Sequence, residues 1–467
     1  MKNKFVWVTA LLFSQIATAD WFEDVKTNGS DEDLYRALYY MPKGGDLHNH
    51  LSGSNFSEWW YDLALEQKER GYEYYTRVQI ENCVTVGDAG FGALNHALMF
   101  RNISAGEYAG LSACEKSEYK ALANLNEAEK NAWLDSLRLD KPFEGREEFF
   151  QTHWQRLNAL ASNPYLQAET LVRNMQALSD EGVTYLETQI NVAGFVTAEG
   201  GPISSDDVAN ILRDRLKAQD ARDTGVTVRF QLIVLRFLLN AEDNLRRAYK
   251  FVHDNAEDFV AVNFVGREDN DKGYPLRFLP TLRELRREYS GVNLSIHAGE
   301  VDEPNRHVAD TLLLGADRIG HGVNLISDDE TMRDMRHGPY LVEINLISNM
   351  LLGYVSEYSQ HPFPEYLRTG IPVALSTDDR GMWDSTMTDE FFVAVKEFNL
   401  SWDEIKSLSQ NSLQYAFVPD AAKRDLLDGY ADRISKFDRS MDKVGLERLG
   451  PMPETRQFVC KRYGLCN

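Results

Sequence analysis

With 467 residues, 43% of them hydrophobic and 26% charged, the chain has the make-up of an ordinary globular protein with enough apolar material for a sizeable core. Its length allows two or three average domains, or one large barrel or α/β unit. A formal net charge of −22 disfavours nucleic-acid backbones and anionic membrane surfaces as partners, and says little about a small neutral substrate.

Residues 1–19 stand apart. Lys2 and Lys4 lead an apolar run from Phe5 to Phe13, and Ala17-Thr18-Ala19 follows. A charged start, a short apolar stretch and an Ala-x-Ala site predict a signal peptide cleaved after Ala19 and export, to the periplasm or the medium. A buried N-terminal helix is the other reading. The run is too short to span a bilayer, and no later stretch has the unbroken apolar length of a transmembrane helix. The four cysteines, Cys83, Cys114, Cys460 and Cys466, form no CxxC pair, which argues against a thiolate zinc site. Outside the cytoplasm an even number suggests disulfides, and Cys83–Cys114 with Cys460–Cys466 is the most local of three pairings.

Residues 20–40 read as a polar arm carrying one amphipathic helix over 31–40. Asp46-Leu47-His48-Asn49-His50-Leu51-Ser52-Gly53 follows. On an extended segment side chains alternate, so His48 and His50 share a face and can grip one transition metal. Two surface histidines beside a turn is the alternative. Residues 59–71 look helical. The stretch from about 72 to 145 is irregular, with Gly87, Gly90, Gly92 and a Lys/Glu-rich helix near 117–136, and is read as an insertion. Gly90-Phe91-Gly92 is too short a glycine run for a phosphate loop.

From about residue 165 the pattern alternates. Strand-like runs at 183–190, 226–235, 259–265, 292–297, 318–321, 340–344 and 373–377 are separated by helix-like runs at 206–222, 243–255, 277–289, 308–314, 328–336 and 363–369. Helices at 389–399 and 403–415 close the series. With 46–50 this makes eight strands, each followed by helix, which predicts an α/β protein of the (β/α)8 barrel class; an open doubly wound sheet is the alternative. The expected layout is a barrel over 41–437 with its insertion, an N-terminal arm and a C-terminal extension over 438–467.

Chemically capable residues fall at the ends of these strands: His48 and His50, Gly266 and Glu268, His297 and Glu300, His321, and Asp378 with Asp379. In a barrel those ends meet at one mouth, where active sites lie. His96, His153, His253, His307, His337 and His361 fall off the strand ends and read as structural or solvated. Trp59, Trp60 and Trp383 are candidates either for pocket walls or for packing.

Four blocks, Leu47-His48-Asn49-His50-Leu51, His297-Ala298-Gly299-Glu300, Arg318-Ile319-Gly320-His321-Gly322 and Ser376-Thr377-Asp378-Asp379, resemble in kind and order the signatures of the adenosine/AMP deaminase branch of metal-dependent amidohydrolases. Met41-Pro42-Lys43-Gly44, Glu343-x-Asn345-x-Ile347-Ser348-Asn349 and His361-Pro362 bring it nearest the secreted adenosine-deaminase-related growth factor group. The resemblance implies one zinc on His48, His50, His297 and Asp378, with the bound water's pKa brought to about 7. It implies that His321 orients or deprotonates that water, Asp379 bonds both nucleophile and purine, Glu300 shuttles the proton, and the Gly266 backbone meets the purine, with Glu268 behind. The implied reaction converts adenosine and 2′-deoxyadenosine to inosine and 2′-deoxyinosine plus ammonia. The implied partner is a small purine nucleoside, and secreted relatives of this kind often pair as homodimers.

Three departures accompany the likeness. Ser52 stands where many relatives carry an Asp associated with the ribose 5′-hydroxyl. Asn345-Leu346 replaces a Cys-Pro, and Arg380 replaces a Pro after Asp379. A cation there raises AMP, or another 6-aminopurine, as the alternative substrate. A catalytically dead binding protein should have lost one of the implied ligands, Glu300 or Asp379; all are retained.

Overall fold

The computed structural model describes residues 21–83, 98–269, 272–303 and 305–466. The expected signal segment, Gly87, Gly90, Gly92 and His96 lie outside them. Eleven strands follow in chain order: β1 (Gly45–His50), β2 (Tyr74–Arg77), β3 (Asn102–Ser104), β4 (Tyr119–Ala121), β5 (Tyr185–Ile190), β6 (Thr227–Leu235), β7 (Phe259–Val265), β8 (Asn293–Ala298), β9 (Arg318–His321), β10 (Leu341–Ile344) and β11 (Val373–Leu375).

Eight of them form one parallel sheet in the order β1-β5-β6-β7-β8-β9-β10-β11, sequential apart from the insertion. Every residue of β5 and β7 is buried, as expected of strands covered on one face by helices and filled on the other by side chains. The two ends of the sheet meet through main-chain bonds: Asp378 N donates to His48 O at 2.9 Å and His50 N donates to Asp378 O at 3.1 Å. The barrel thus closes at the residues expected to bind metal, and the (β/α)8 expectation holds.

Helix starts follow the side-chain chemistry of the sequence. Ser30, Thr386 and Ser401 each cap a first turn, and each donates its own backbone N–H in return to the acidic side chain three residues on. The run predicted at 206–222 is two helices, Ser205–Leu216 and Gln219–Asp223, separated at Lys217 and Ala218. The helix Trp21–Asn28, not predicted, packs Trp21 and Phe22 on Trp402.

The insertion is more ordered than its sequence suggests. It contains a three-stranded antiparallel sheet, β3-β2-β4, and its Lys/Glu-rich helix is confined to Glu127–Ser136. Cys83 is bonded to Cys114 and Cys460 to Cys466, the most local pairing. The tail folds back on the segment that follows Asp379: Arg456 pairs with Asp384 at 2.6 Å and with Glu58 at 3.3 Å. No described helix is long and apolar enough to cross a membrane.

Candidate active site

β1 places His48 and His50 on one side of the strand, as the alternation requires. His48 Nδ1 lies 2.7 Å from Glu343 Oε2 of β10, and His297 Nδ1 lies 2.9 Å from Asn263 Oδ1 of β7. Each partner holds the ring by Nδ1 and turns Nε2 inward, the arrangement by which outer groups fix a metal-binding imidazole. His50 Nε2 stands 3.2 Å from His297 Nε2 and 3.1 Å from Asp378 Oδ1, while His48 Nε2 is 3.4 Å from the same oxygen. His48 Nε2 and Asp378 Oδ1 are buried and make no hydrogen bond of good geometry. His50, Asp378 and Asp379 form one group of donor atoms within 4.8 Å of one another. Three imidazole nitrogens and a carboxylate oxygen are the donor types of a tetrahedral transition-metal site, so the expected residues fit the ion in kind. His321 also has a nitrogen within 4.8 Å of the donors of His48, His297 and Asp378.

Two glycines allow this crowding. A Cβ on Gly53 would come within 1.6 Å of Asp379 Oδ1, and one on Gly320 within 2.7 Å of the His48 ring. Asp378 and His321 both occupy the left-handed region, with φ of 54° and 65°, a conformation costly for residues with a Cβ and commonest at functional sites.

The charge pattern separates the acids from one another. Burial, then the charges of Asp378 and Glu268, push the Glu300 carboxyl up to about 8, so it is protonated at neutral pH. Burial, Asp378 and Glu300 likewise hold Asp379 well above the usual carboxylate range. For Asp378 burial acts in the same direction but is outweighed by His48 and His50, which keep it ionised. Burial brings His321 down to about 3, leaving the ring neutral. Glu300 is held by its backbone: Gly299 N and Glu300 N both donate to the Glu268 carboxylate at 3.0 Å. Glu268 Oε1, which accepts from Gly299 N, also faces His307 Nδ1 at 2.6 Å, so that histidine has a definite structural partner.

These groups line a cavity of about 600 Å3 at the C-terminal ends of the strands, within the ~300–1,000 Å3 usual for small-molecule sites. His50, Ser52, Gly266, His297, Glu300, Asp378 and Asp379 all border it; His48 and His321 are buried beneath. The aromatic wall comes from Phe149, Phe150, Trp154, Phe195 and Phe237. Trp60 and Trp383 are packing residues, 1% exposed and away from the cavity. Phe149 and Phe150 stand on a π-helical turn, Phe149–His153, of a kind frequent at functional sites.

Arg380 does not sit at the mouth. It is fully buried, 3.1 Å from Glu181 and over the Phe56 ring, because the turn after Asp379 carries it behind the strand ends. The phosphate-binding role raised by its sequence position is overturned. Glu343, named in sequence only as part of a motif, is the carboxylate behind His48, and Asn263 was missed. A buried polar residue one strand away from a ligand was the available signal.

A (β/α)8 barrel with a histidine–carboxylate cluster at the C-terminal ends of its strands defines a metal-dependent hydrolase. Residues 119–433 match the adenosine deaminase family profile. The chain is 32% identical over 284 residues to adenosine deaminase of Enterococcus faecalis, covering 60% of this chain and 80% of that one. It is 27% identical over 258 residues to N6-methyl-AMP deaminase of Bos taurus, 54% and 72% of the respective lengths. The crystal structure of adenine deaminase from Arthrobacter aurescens superposes with a TM-score of 0.61 at 18% identity, covering 84% of this chain and 99% of that one. This chain belongs to the adenosine deaminase family.

Proposed function

We propose that the protein is a zinc-dependent hydrolase that converts adenosine and 2′-deoxyadenosine to inosine and 2′-deoxyinosine plus ammonia, outside the cytoplasm. The observation that carries the reading is a buried carboxyl, Glu300, bordering the same cavity as the donors His50, His297 and Asp378, with His48 directly beneath. When bound, zinc on those four residues acidifies a water and makes it a nucleophile at neutral pH.

Addition of that water's oxygen to purine C6 breaks ring aromaticity. Glu300 delivers its proton to N1 as the C–O bond forms, so no ring anion builds up. His321, neutral, donates a hydrogen bond that orients the water, and Asp379 contacts both the nucleophile and the purine. One proton of the water passes to the amino group, the C6–N bond breaks as the added oxygen becomes the C6 carbonyl, and ammonia leaves; the water's second proton restores the one Glu300 gave to N1. The Gly266 backbone edges the purine.

Export is supported by the N-terminal pattern of Lys2, Lys4, the apolar run and Ala17-Thr18-Ala19, and by two disulfides, which persist in oxidising compartments. The rival substrate, AMP or another 6-aminopurine, is favoured by the N6-methyl-AMP deaminase relative. A spectrophotometric assay of zinc-loaded protein against adenosine, 2′-deoxyadenosine, AMP and adenine tests the reading. Turnover of adenosine is expected; no turnover of any of the four overturns it, and preference for AMP promotes the rival.

A further inference from the structure

Along β5, Tyr185, Glu187 and Gln189 share one face, and Glu187 lies inside the barrel, bonded to Gln231 and Arg318. Gln189 therefore points inward too, one layer closer to the mouth, opposite His50 in the strand register. It borders the cavity, is 2% exposed, and neither its Oε1 nor its Nε2 has a hydrogen-bond partner. Buried amides are nearly always paired, so one left open in a cavity wall is an unfilled recognition group. Beside His50 in the chain, Ser52 also borders the cavity, and its hydroxyl pairs with Gln167 at 3.1 Å. This side of the pocket thus carries uncharged groups able both to donate and to accept.

The cavity offers little to a phosphate. Among the described residues that border it, the one Lys or Arg is Arg267, whose guanidinium is already paired with Glu147 at 2.6 Å and Asp269 at 2.7 Å. Beside it Arg146, which does not border the cavity, is likewise taken up by Asp302 and Asp269, so three acids face two paired arginines at that rim, and the chain as a whole carries a formal charge of −22.

We infer that Gln189 is the specificity-determining residue of the cavity: its amide hydrogen-bonds a sugar hydroxyl, so the site selects an uncharged 6-aminopurine nucleoside over both the nucleotide and the free base. This rests on the deaminase reading above for its catalytic arm and not for its binding arm. An amide exchanges donor and acceptor bonds with a hydroxyl, whereas a sugarless base leaves it unpaired, the kind of difference that polar sites discriminate strongly.

The test is Gln189→Met, similar in volume and lacking both polar atoms. In the zinc-loaded enzyme, the ratio of kcat/KM for adenosine to that for adenine is expected to fall about tenfold, as for loss of one neutral hydrogen bond. By calorimetry, the preference of the protein for inosine over hypoxanthine should fall by the same factor, a readout that needs no turnover. Because the variant removes no protein–protein bond, its Tm should stay unchanged or rise. An unchanged preference for the nucleoside in both arms overturns the inference, as does a fall of several degrees in Tm, which would mean that the amide has a structural role. AMP turned over or bound better than adenosine by the wild-type protein overturns it as well. If no purine is turned over while inosine binding still responds to the substitution, the deaminase reading fails and the assignment of Gln189 stands.

Discussion

Asn349 determines which nitrogen of His321 carries the proton. Its Nδ2 lies 2.9 Å from His321 Nδ1, and its Oδ1 lies 3.0 Å from His361 Nε2. The direction of the chain is set by a main-chain group: Phe363 N can only donate, and it donates to His361 Nδ1 at 3.1 Å. His361 must then carry its proton on Nε2 and donate to Asn349, whose amide donates in turn to His321 Nδ1. His321 is left with its proton on Nε2, the nitrogen 3.8 Å from Glu300. Of the two roles expected for it, orienting the water and deprotonating it, this tautomer supports orientation.

Replacing Asn349 by Asp reverses the last link. A carboxylate accepts from His321 Nδ1, so that nitrogen must carry a proton: the neutral ring moves its proton away from Nε2, or the ring takes a second proton and becomes imidazolium. The expected result is a loss of about 10–100-fold in kcat, the usual cost of disturbing an outer partner, with metal content retained. Wild-type kcat in Asn349→Asp, measured with bound metal quantified on the same sample, would show that the tautomer is immaterial.

Glu343 has a parallel role for His48. Its Oε2 holds Nδ1 at 2.7 Å while Oε1 takes Arg318 Nε at 2.6 Å and Ser295 Oγ at 2.9 Å. Burial lowers the affinity of the His48 ring for a proton, but the Asp378 and Glu343 carboxylates outweigh it and raise its pKa to about 10. The same negative charge strengthens Nε2 as a ligand. Glu343→Gln keeps the shape and removes the charge, and metal affinity measured by chelator competition should drop about 10–100-fold. Equal affinity in the two proteins would remove Glu343 from the metal site.

Arg380 gives a stability prediction that also tests the correction made to its role. Its buried partner Glu181 accepts further bonds from Thr388 N at 2.7 Å and Thr388 Oγ1 at 2.8 Å. Removing one member of a buried pair typically costs about 3–5 kcal/mol, because the remaining charge stays desolvated. Arg380→Met should therefore lower Tm by several degrees while leaving the ratio of AMP to adenosine turnover unchanged. A selective loss with AMP would return Arg380 to the substrate.

How much of this was readable in the sequence follows from how local each signal is. His48, His50, His297, Glu300 and Asp378 could be found because each ends a strand and barrel topology gathers strand ends. The Glu187–Arg318–Glu343 network could not: its members stand on three strands, and nothing in any one window points to the others. Gln189 was hidden in the same way, as the last of three consecutive polar residues, Glu187, Thr188 and Gln189, whose order gives no hint which of them meets the cavity. β2, β3 and β4 were missed because three or four residues are too short for a period to show. Arg380 misled because sequence adjacency to Asp379 says nothing about direction once the chain turns through Arg380–Trp383. Trp60 and Trp383 are packing residues, one of the two readings open to them, and the tryptophan that borders the cavity, Trp154, follows the insertion, where the sequence pattern is weakest.

The pH dependence of turnover isolates Glu300. The group must hold a proton to deliver it to N1, so the competent form exists below its pKa and the rate falls as pH rises through it. Burial, Asp378 and Glu268 set that pKa at about 8 in the protein alone. A dication bound to Asp378 offsets the second of these influences, so the alkaline limb of kcat in the loaded enzyme should lie at or below about pH 8. Glu300→Gln holds no transferable proton. It should bind metal as the wild type does, lose about 10²–10⁴-fold in kcat, and show no limb in that range. Metal lost with the substitution would make Glu300 part of the metal site, and an alkaline limb persisting in Glu300→Gln would assign the titration to another group, with Asp379, raised by burial and by its carboxylate neighbours, the next to be replaced.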